Sequence, residues 1–365
     1  MPLSRRAALA LAGTAAAGVA ATVAATLAAP LAASLAAPVL LRRTRAHVKP
    51  APHVLRISHH YPASSGDQGD FRDRLIRRFA TDVTARTDGA LTFEVYPAAT
   101  LVKPAAQFSG LRRGALDLTL CPLAAGVSEL PEAAIGSVPC LVMTEAQAAA
   151  WRDAPAGQRL DAVLRRHGVR ILPWVWLPRA VAARDGAVAV PADMAGLSVR
   201  SGSAPMADML RAAGAKPETV PIEAISRAMR RGKLDAAILS ATSVLSYRLA
   251  EQAPHVTTAG GGGACGYTLQ PLMMSELVFD ALPPAQQAAV TAAGAALDGY
   301  ALRAARADAD ALPAAFSAED GSVSDLDAER LAHWTKLAAE TGWRAYAKSG
   351  RGCADLLRLA SEVPA

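Results

Sequence analysis

No Asp or Glu occurs among the first fifty-one residues, although the 365-residue chain contains 32 of them. The basic residues of that stretch, Arg5, Arg6, Arg42, Arg43, Arg45 and Lys49, are therefore unopposed. Setting these six aside from the 38 Lys and Arg leaves the rest of the chain formally neutral. That balance excludes a nucleic-acid surface built on net positive charge, because phosphate binding requires an excess of cations on the folded domain. Cysteine is also scarce: Cys121, Cys140, Cys265 and Cys353 stand far apart, with no Cys-x-x-Cys pair to suggest zinc. No cysteine precedes Cys121, so a lipid-anchoring cysteine near the start is excluded. An even number permits disulfides without requiring them, and both a Cys121–Cys140 bridge and buried thiols remain open. Catalytic signatures are absent as well. There is no Gly-x-Ser-x-Gly elbow, no His-Glu-x-x-His, no Ser-x-x-Lys with its partner motifs and no prominent spaced carboxylate pair, which argues against an enzyme.

The acid-free start carries Ser4-Arg5-Arg6 followed by a weakly hydrophobic, Ala-rich run without a charge as far as Leu41. A basic beginning, an apolar stretch and small-residue exits such as Ser34-Leu35-Ala36 are the parts of an export signal, and the paired arginines suggest the twin-arginine route. Residues 1–41 are expected to be this signal and leader, and 42–52 a linker. The run exceeds the roughly 20 residues that span a bilayer, so an uncleaved anchor is the alternative to cleavage. Either way the remainder is expected outside the cytoplasm, in the periplasm.

Beyond the leader, short apolar strands alternate with helices. Val54–Ile57 reads as a first strand, Phe71 to Thr87 as an amphipathic helix, Leu91–Tyr96 and Leu116–Leu120 as further strands, and Val169–Trp176 as another. Leu197–Arg200 and Leu234–Leu239 continue the pattern. Such alternation implies α/β domains with mostly parallel sheets, whose ligands gather at the carboxyl ends of strands. A little over three hundred residues correspond to about two domains by the usual size prior.

The densest information lies between Arg179 and Asp235. The order Pro191-Ala192-Asp193-Met194-Ala195-Gly196-Leu197-Ser198-Val199-Arg200, followed by Gly214-Ala215, Pro221-Ile222-Glu223 and Gly232-Lys233-Leu234-Asp235, resembles the solute-binding proteins of tripartite ATP-independent periplasmic (TRAP) transporters. Thr87-Asp88-Gly89, Val95-Tyr96-Pro97, Gly110-Leu111-Arg112-Arg113-Gly114 and Ala281-Leu282-Pro283-Pro284 are similar to other parts of the same family, so the likeness covers nearly all of the chain after the leader.

This resemblance implies a periplasmic-binding-protein-like type II fold, two α/β lobes joined by a hinge with the ligand cleft between them. The implied lobes are 53–177 plus 265–305, and 178–264 plus 306–365. It implies capture of a small organic acid and its delivery, without chemistry, to the small and large membrane subunits of a TRAP permease; the chain is expected to be a monomer with no cofactor and no metal among its site residues. An ABC-type or sensory binding protein of the same fold is the first alternative, and an exported enzyme the second.

Arg200 matches the family arginine that holds the ligand carboxylate, which a guanidinium does through two parallel charge-assisted hydrogen bonds. Arg179 is the best match for a second arginine, with Arg184 its competitor. His59, from His59-His60-Tyr61-Pro62, is expected on the first-lobe wall, and Leu239 on the apolar run Ala236–Leu239. Trp174 and Trp176 share one strand face; both suit a core, while Trp176 is also expected to stack over an apolar ligand tail. Because Ala236–Leu239 lacks the polar side chains of many relatives, the ligand is expected to be less hydroxylated than a sugar acid. Gly260–Gly263 fits a crossing between lobes, where glycine absorbs rotation without steric penalty; it has neither Walker nor dinucleotide spacing.

Overall fold

A computed structural model of the chain describes residues 53–260 and 263–364; the expected export signal and linker, with Gly261 and Gly262, lie outside these residues. Among the described residues twelve strands form two sheets. The first has the order β2 (Leu91–Tyr96), β1 (His53–His59), β3 (Leu118–Leu120), β11 (Leu272–Ser275), β4 (Val169–Ile171). The second runs β12 (Ser322–Asp325), β9 (His255–Thr258), β5 (Trp176–Ala183), β8 (Ala236–Ser240), β6 (Ser198–Arg200), β7 (Lys216–Glu218). A short β10 (Tyr267–Leu269) pairs only with β5.

Period-two alternation builds a core on each face of each sheet. In the first sheet Leu55, Ile57, Leu272 and Met274 face the helices Phe71–Arg86 and Pro284–Ala296, whereas Ile171 and Met273 face Trp151, Leu160 and Leu164. In the second, Val181, Ala183, Ala236 and Ile238 share one core, and Ala180, Ala182, Ala237 and Leu239 the other. Helix Phe71–Arg86 begins where the Asp70 carboxylate accepts the Arg72 N–H, as an N-cap should, and ends at Thr87 ahead of Asp88-Gly89. It buries Phe71, Leu75, Phe79 and Val83; removing one such aromatic, as in Phe79→Ala, costs roughly 3–5 kcal/mol.

The expected strand Val169–Trp176 is in fact two. Pro173 has no N–H to offer a ladder, so β4 stops at Ile171 and β5 starts at Trp176. This break lets the chain leave the first sheet and enter the second. The first half of β5 pairs with β10 (Leu177 opposite Thr268), and the second half with β8 and β9 (Val181 opposite Ile238 and Thr257). The last helix, Arg351–Ser361, lies in the stretch expected with the second lobe, yet buries Cys353, Leu356 and Ala360 in the core containing Leu160 and Val163.

Around β10 the returning chain is stitched to the segment after Pro139. Cys140 N–H donates to the Cys265 carbonyl at 3.0 Å and Tyr267 N–H to the Val142 carbonyl at 2.7 Å. Gly266 between them has φ +77°, and a Cβ there would stand 2.7 Å from the Val142 oxygen. We therefore expect Gly266→Ala to lower stability by at least about 1–2 kcal/mol through left-handed backbone strain alone, with the clash adding to it. Thermal or urea unfolding of the variant beside the wild type measures this; an unchanged midpoint would mean the two segments are not held together as described.

Candidate ligand-binding cleft

β8 is the reference line for the site. It runs parallel to β6, so both carboxyl ends point the same way, and β5 runs antiparallel on its other side. Register puts Arg200 opposite Ala237 and Arg179 opposite Ser240. By strand parity Arg179 belongs to the face of Val181, and Arg200 to the face of Ala237. The two arginines thus flank the end of β8 from its two sides, where helix Ala241–Ser246 begins.

Both border a cleft of about 700 Å³. On the side of the second sheet the cleft is lined by Arg179, Arg200, Ser201, Met206, Val220, Ile238, Leu239 and Ser243. On the other side stand His60, Tyr61, Lys103, Pro104 and Pro122, with Thr268 and Gln270 from the crossing segment. The wall is mixed: apolar side chains alternate with hydroxyl and amide groups. Glu223, the one carboxylate among the lining residues, has no ion-pair partner among the described residues.

Neither arginine has a carboxylate partner among the described residues. The Arg179 guanidinium is buried and donates to the Cys265 carbonyl at 3.0 Å. Arg200 is partly buried and donates to the Val220 carbonyl at 3.3 Å and, at a long 3.5 Å, to the Ile238 carbonyl. Burial lowers the pKa of each from 12.5 to about 10, because the charged form has lost water. Both remain cations at neutral pH. Arg184, the competitor for the second position, instead lies 3.8 Å from Asp235 and does not border the cleft.

Of the five expected site residues, the structure brings Arg179, Arg200 and Leu239 together on one wall. The two others do not border the cleft. His59 is the last residue of β1, wholly buried, with Nε2 2.9 Å from Asp73 Oδ1; one residue later the chain turns and His60 reaches the cleft instead. Trp176 is 1% exposed and packs on Trp151, ring centroids 5.1 Å apart, as the core reading of the paired tryptophans has it.

Residue types alone did not single out the polar layer behind the cleft. Arg72, fully buried, donates Nε to Asp70 Oδ1 at 2.9 Å and Nη2 to Asp70 Oδ2 at 2.6 Å. Its Nη1 donates to Ser243 Oγ and to Gln270 Oε1, both at 3.0 Å. Its plane lies 3.6 Å over the Tyr61 ring, and Ser246 Oγ donates to Asp70 at 2.8 Å. These partners are up to 198 positions apart, a separation no local motif encodes. Among the described residues no group of three or more His, Cys, Asp or Glu could hold a metal ion, and no helix is long and apolar enough to cross a membrane.

Residues 69–349 match the model of the bacterial extracellular solute-binding protein family 7. The chain belongs to this family of TRAP periplasmic solute-binding proteins. It is 41% identical over 310 residues to a solute-binding protein of Albidiferax ferrireducens, covering 85% of this chain and 91% of that one. Its fold superposes with TM-score 0.82 on a TRAP periplasmic solute-binding protein from Rhodoferax ferrireducens with bound malonate. That protein is 40% identical, and the match covers 85% of this chain and 98% of the other. A Bordetella pertussis extracytoplasmic solute receptor binding pyroglutamic acid shares the fold alone, at 22% identity and TM-score 0.73, with 84% and 99% covered. These relatives are transporter components, not enzymes, and they carry the two-lobed type II periplasmic binding fold expected from the sequence.

His60 is expected to make the stability of the protein depend on pH. Burial, reinforced by the Arg72 charge, lowers its pKa from 6.5 to about 4. Between those values the unfolded chain takes up a proton that the folded protein refuses, so stability falls as pH drops from about 6.5 toward 4. We expect the thermal midpoint to decline between pH 7 and pH 4.5, and His60→Gln to flatten that decline. Equal slopes in the two proteins would remove His60 as its source.

Proposed function

We propose that the cleft captures a small organic acid by seating its carboxylate between Arg179 and Arg200. The protein then delivers that acid to a TRAP permease composed of small and large membrane subunits. The observation that carries this reading is that the buried Arg179 and the partly buried Arg200 have carbonyl contacts but no carboxylate. A charge taken from water costs several kcal/mol unless it is paired, and a ligand carboxylate supplies the missing partner. Both stand beside strand carboxyl ends, where open α/β sheets bind ligands.

Closure of the lobes, turning on the crossing segments near 177–179 and 263–267, would exclude water and strengthen the ion pairs. Release would follow at the permease, driven by an ion gradient across the membrane. The chain acts as a monomer in the periplasm, and its leader directs export. The Rhodoferax ferrireducens relative, with malonate bound, supports a small acid over a bulky one. So does the apolar rim of Val220, Ile238 and Leu239, against which a ring of hydroxyl groups would go unpaired.

Arg200→Ala should weaken acid binding by about 2 kcal/mol or more, roughly thirtyfold, since hydrogen bonds to charged groups are worth about 1.5–3 kcal/mol. Arg200→Lys should weaken it less, keeping the charge but losing the fork. Calorimetric titration of the leaderless protein with a panel of mono-, di- and keto acids measures both. Equal affinity in all three proteins would take Arg200 out of the site.

A further inference from the structure

The polar layer behind the cleft fixes the direction of one amide. Gln270 Oε1 accepts from Arg72 Nη1 at 3.0 Å and from the Tyr61 hydroxyl at 2.7 Å. A guanidinium has only donors, so of the two ends of the amide only the oxygen can face Arg72. Arg72 cannot turn away, because Asp70 grips Nε and Nη2 and the Tyr61 ring supports its face. The remaining end, Nε2, points the other way. It makes no hydrogen bond with any described residue, is not among the buried polar atoms that lack a partner, and belongs to a side chain bordering the cleft.

We infer that Gln270 is a specificity-determining residue that presents only donors to the ligand, and that the ligand is an acid carrying a second acceptor oxygen, in a second carboxylate or a ketone. The inference rests on the reading that Arg179 and Arg200 hold the first carboxylate. A buried donor facing a purely hydrocarbon tail would be left unpaired, which is how such a site rejects simple fatty acids. Arg72 and Tyr61 touch Gln270, and Asp70 holds Arg72; all three are positioning residues that keep the amide from turning over. The inventory of donors and acceptors thereby narrows the ligand class further than the shape of the cleft does.

The test compares malonate, pyruvate and butyrate, one probe with a second carboxylate, one with a ketone and one with neither, by calorimetric titration. Wild-type protein should bind malonate or pyruvate at least about tenfold more tightly than butyrate, one hydrogen bond to a charged or polar oxygen being worth about that factor. Gln270→Glu keeps an oxygen toward Arg72 and Tyr61 and places another where Nε2 stood. Gln270→Met removes the donor without adding charge. Both should collapse the preference over butyrate toward unity, a ratio that a merely structural role would leave in place.

An unchanged ratio in both variants, with Arg200→Ala abolishing binding of all three acids, would overturn the role of Gln270 while sparing the arginines. Wild-type protein that prefers butyrate, or binds all three equally, would overturn it as well. Binding of none of the three by the wild type would overturn the shared reading and this inference with it.

Discussion

Two guanidinium groups held away from water without a carboxylate are the constraint around which the structure is arranged. An arginine has no neutral form within reach at physiological pH, so its burial must be offset by oxygen atoms. Within the protein those oxygens are the carbonyls of Cys265, Val220 and Ile238, partial charges that keep the cations aimed without saturating them. Holding them there explains several features at once: β5 as a strand shared between β10 and β8, the glycine approach at Gly266, and the ending of β6 at Arg200.

Arg72 is the contrasting case. It is the same side chain, fully buried and close to the same cleft, but Asp70 meets it with both carboxylate oxygens, and Ser243 and Gln270 accept from Nη1. Four of its five N–H groups are met by oxygens of the protein, and its charge is paired. Its role is to tie the loop before helix Phe71–Arg86 to helix Ala241–Ser246 and to the crossing segment. Breaking the pair from one side would leave an uncompensated buried charge, which typically costs about 3–5 kcal/mol. One carboxylate-paired arginine therefore stiffens the wall, while Arg179 and Arg200 border the cleft with carbonyl contacts alone.

How much of this was legible in the chain depends on the range of the signal. Arg200 was readable because the turn Asp193–Gly196 and the strand after it are local, and local order survives in a motif. Strand against helix was readable from period-two runs such as Leu91–Tyr96. The stop at Pro173 was available in the sequence, yet the apolar run across it masked the break. His59 and His60 differ by one residue at the end of a strand, where the turn decides which ring meets the cleft. Trp176 sits on a strand with both faces covered, so alternation does not separate core from pocket there. Gln270, Arg72 and Asp70 carry no local signature, since their meaning comes from partners on segments far away in sequence.

The most direct test of the central claim is a crystal structure of the leaderless protein with the acid that raises its thermal midpoint most. A carboxylate is expected within hydrogen-bonding distance of both the Arg179 and Arg200 guanidinium groups, with Arg72 still paired to Asp70. A ligand whose carboxylate sits elsewhere in the cleft, with Arg200 still on the Val220 carbonyl, would contradict it.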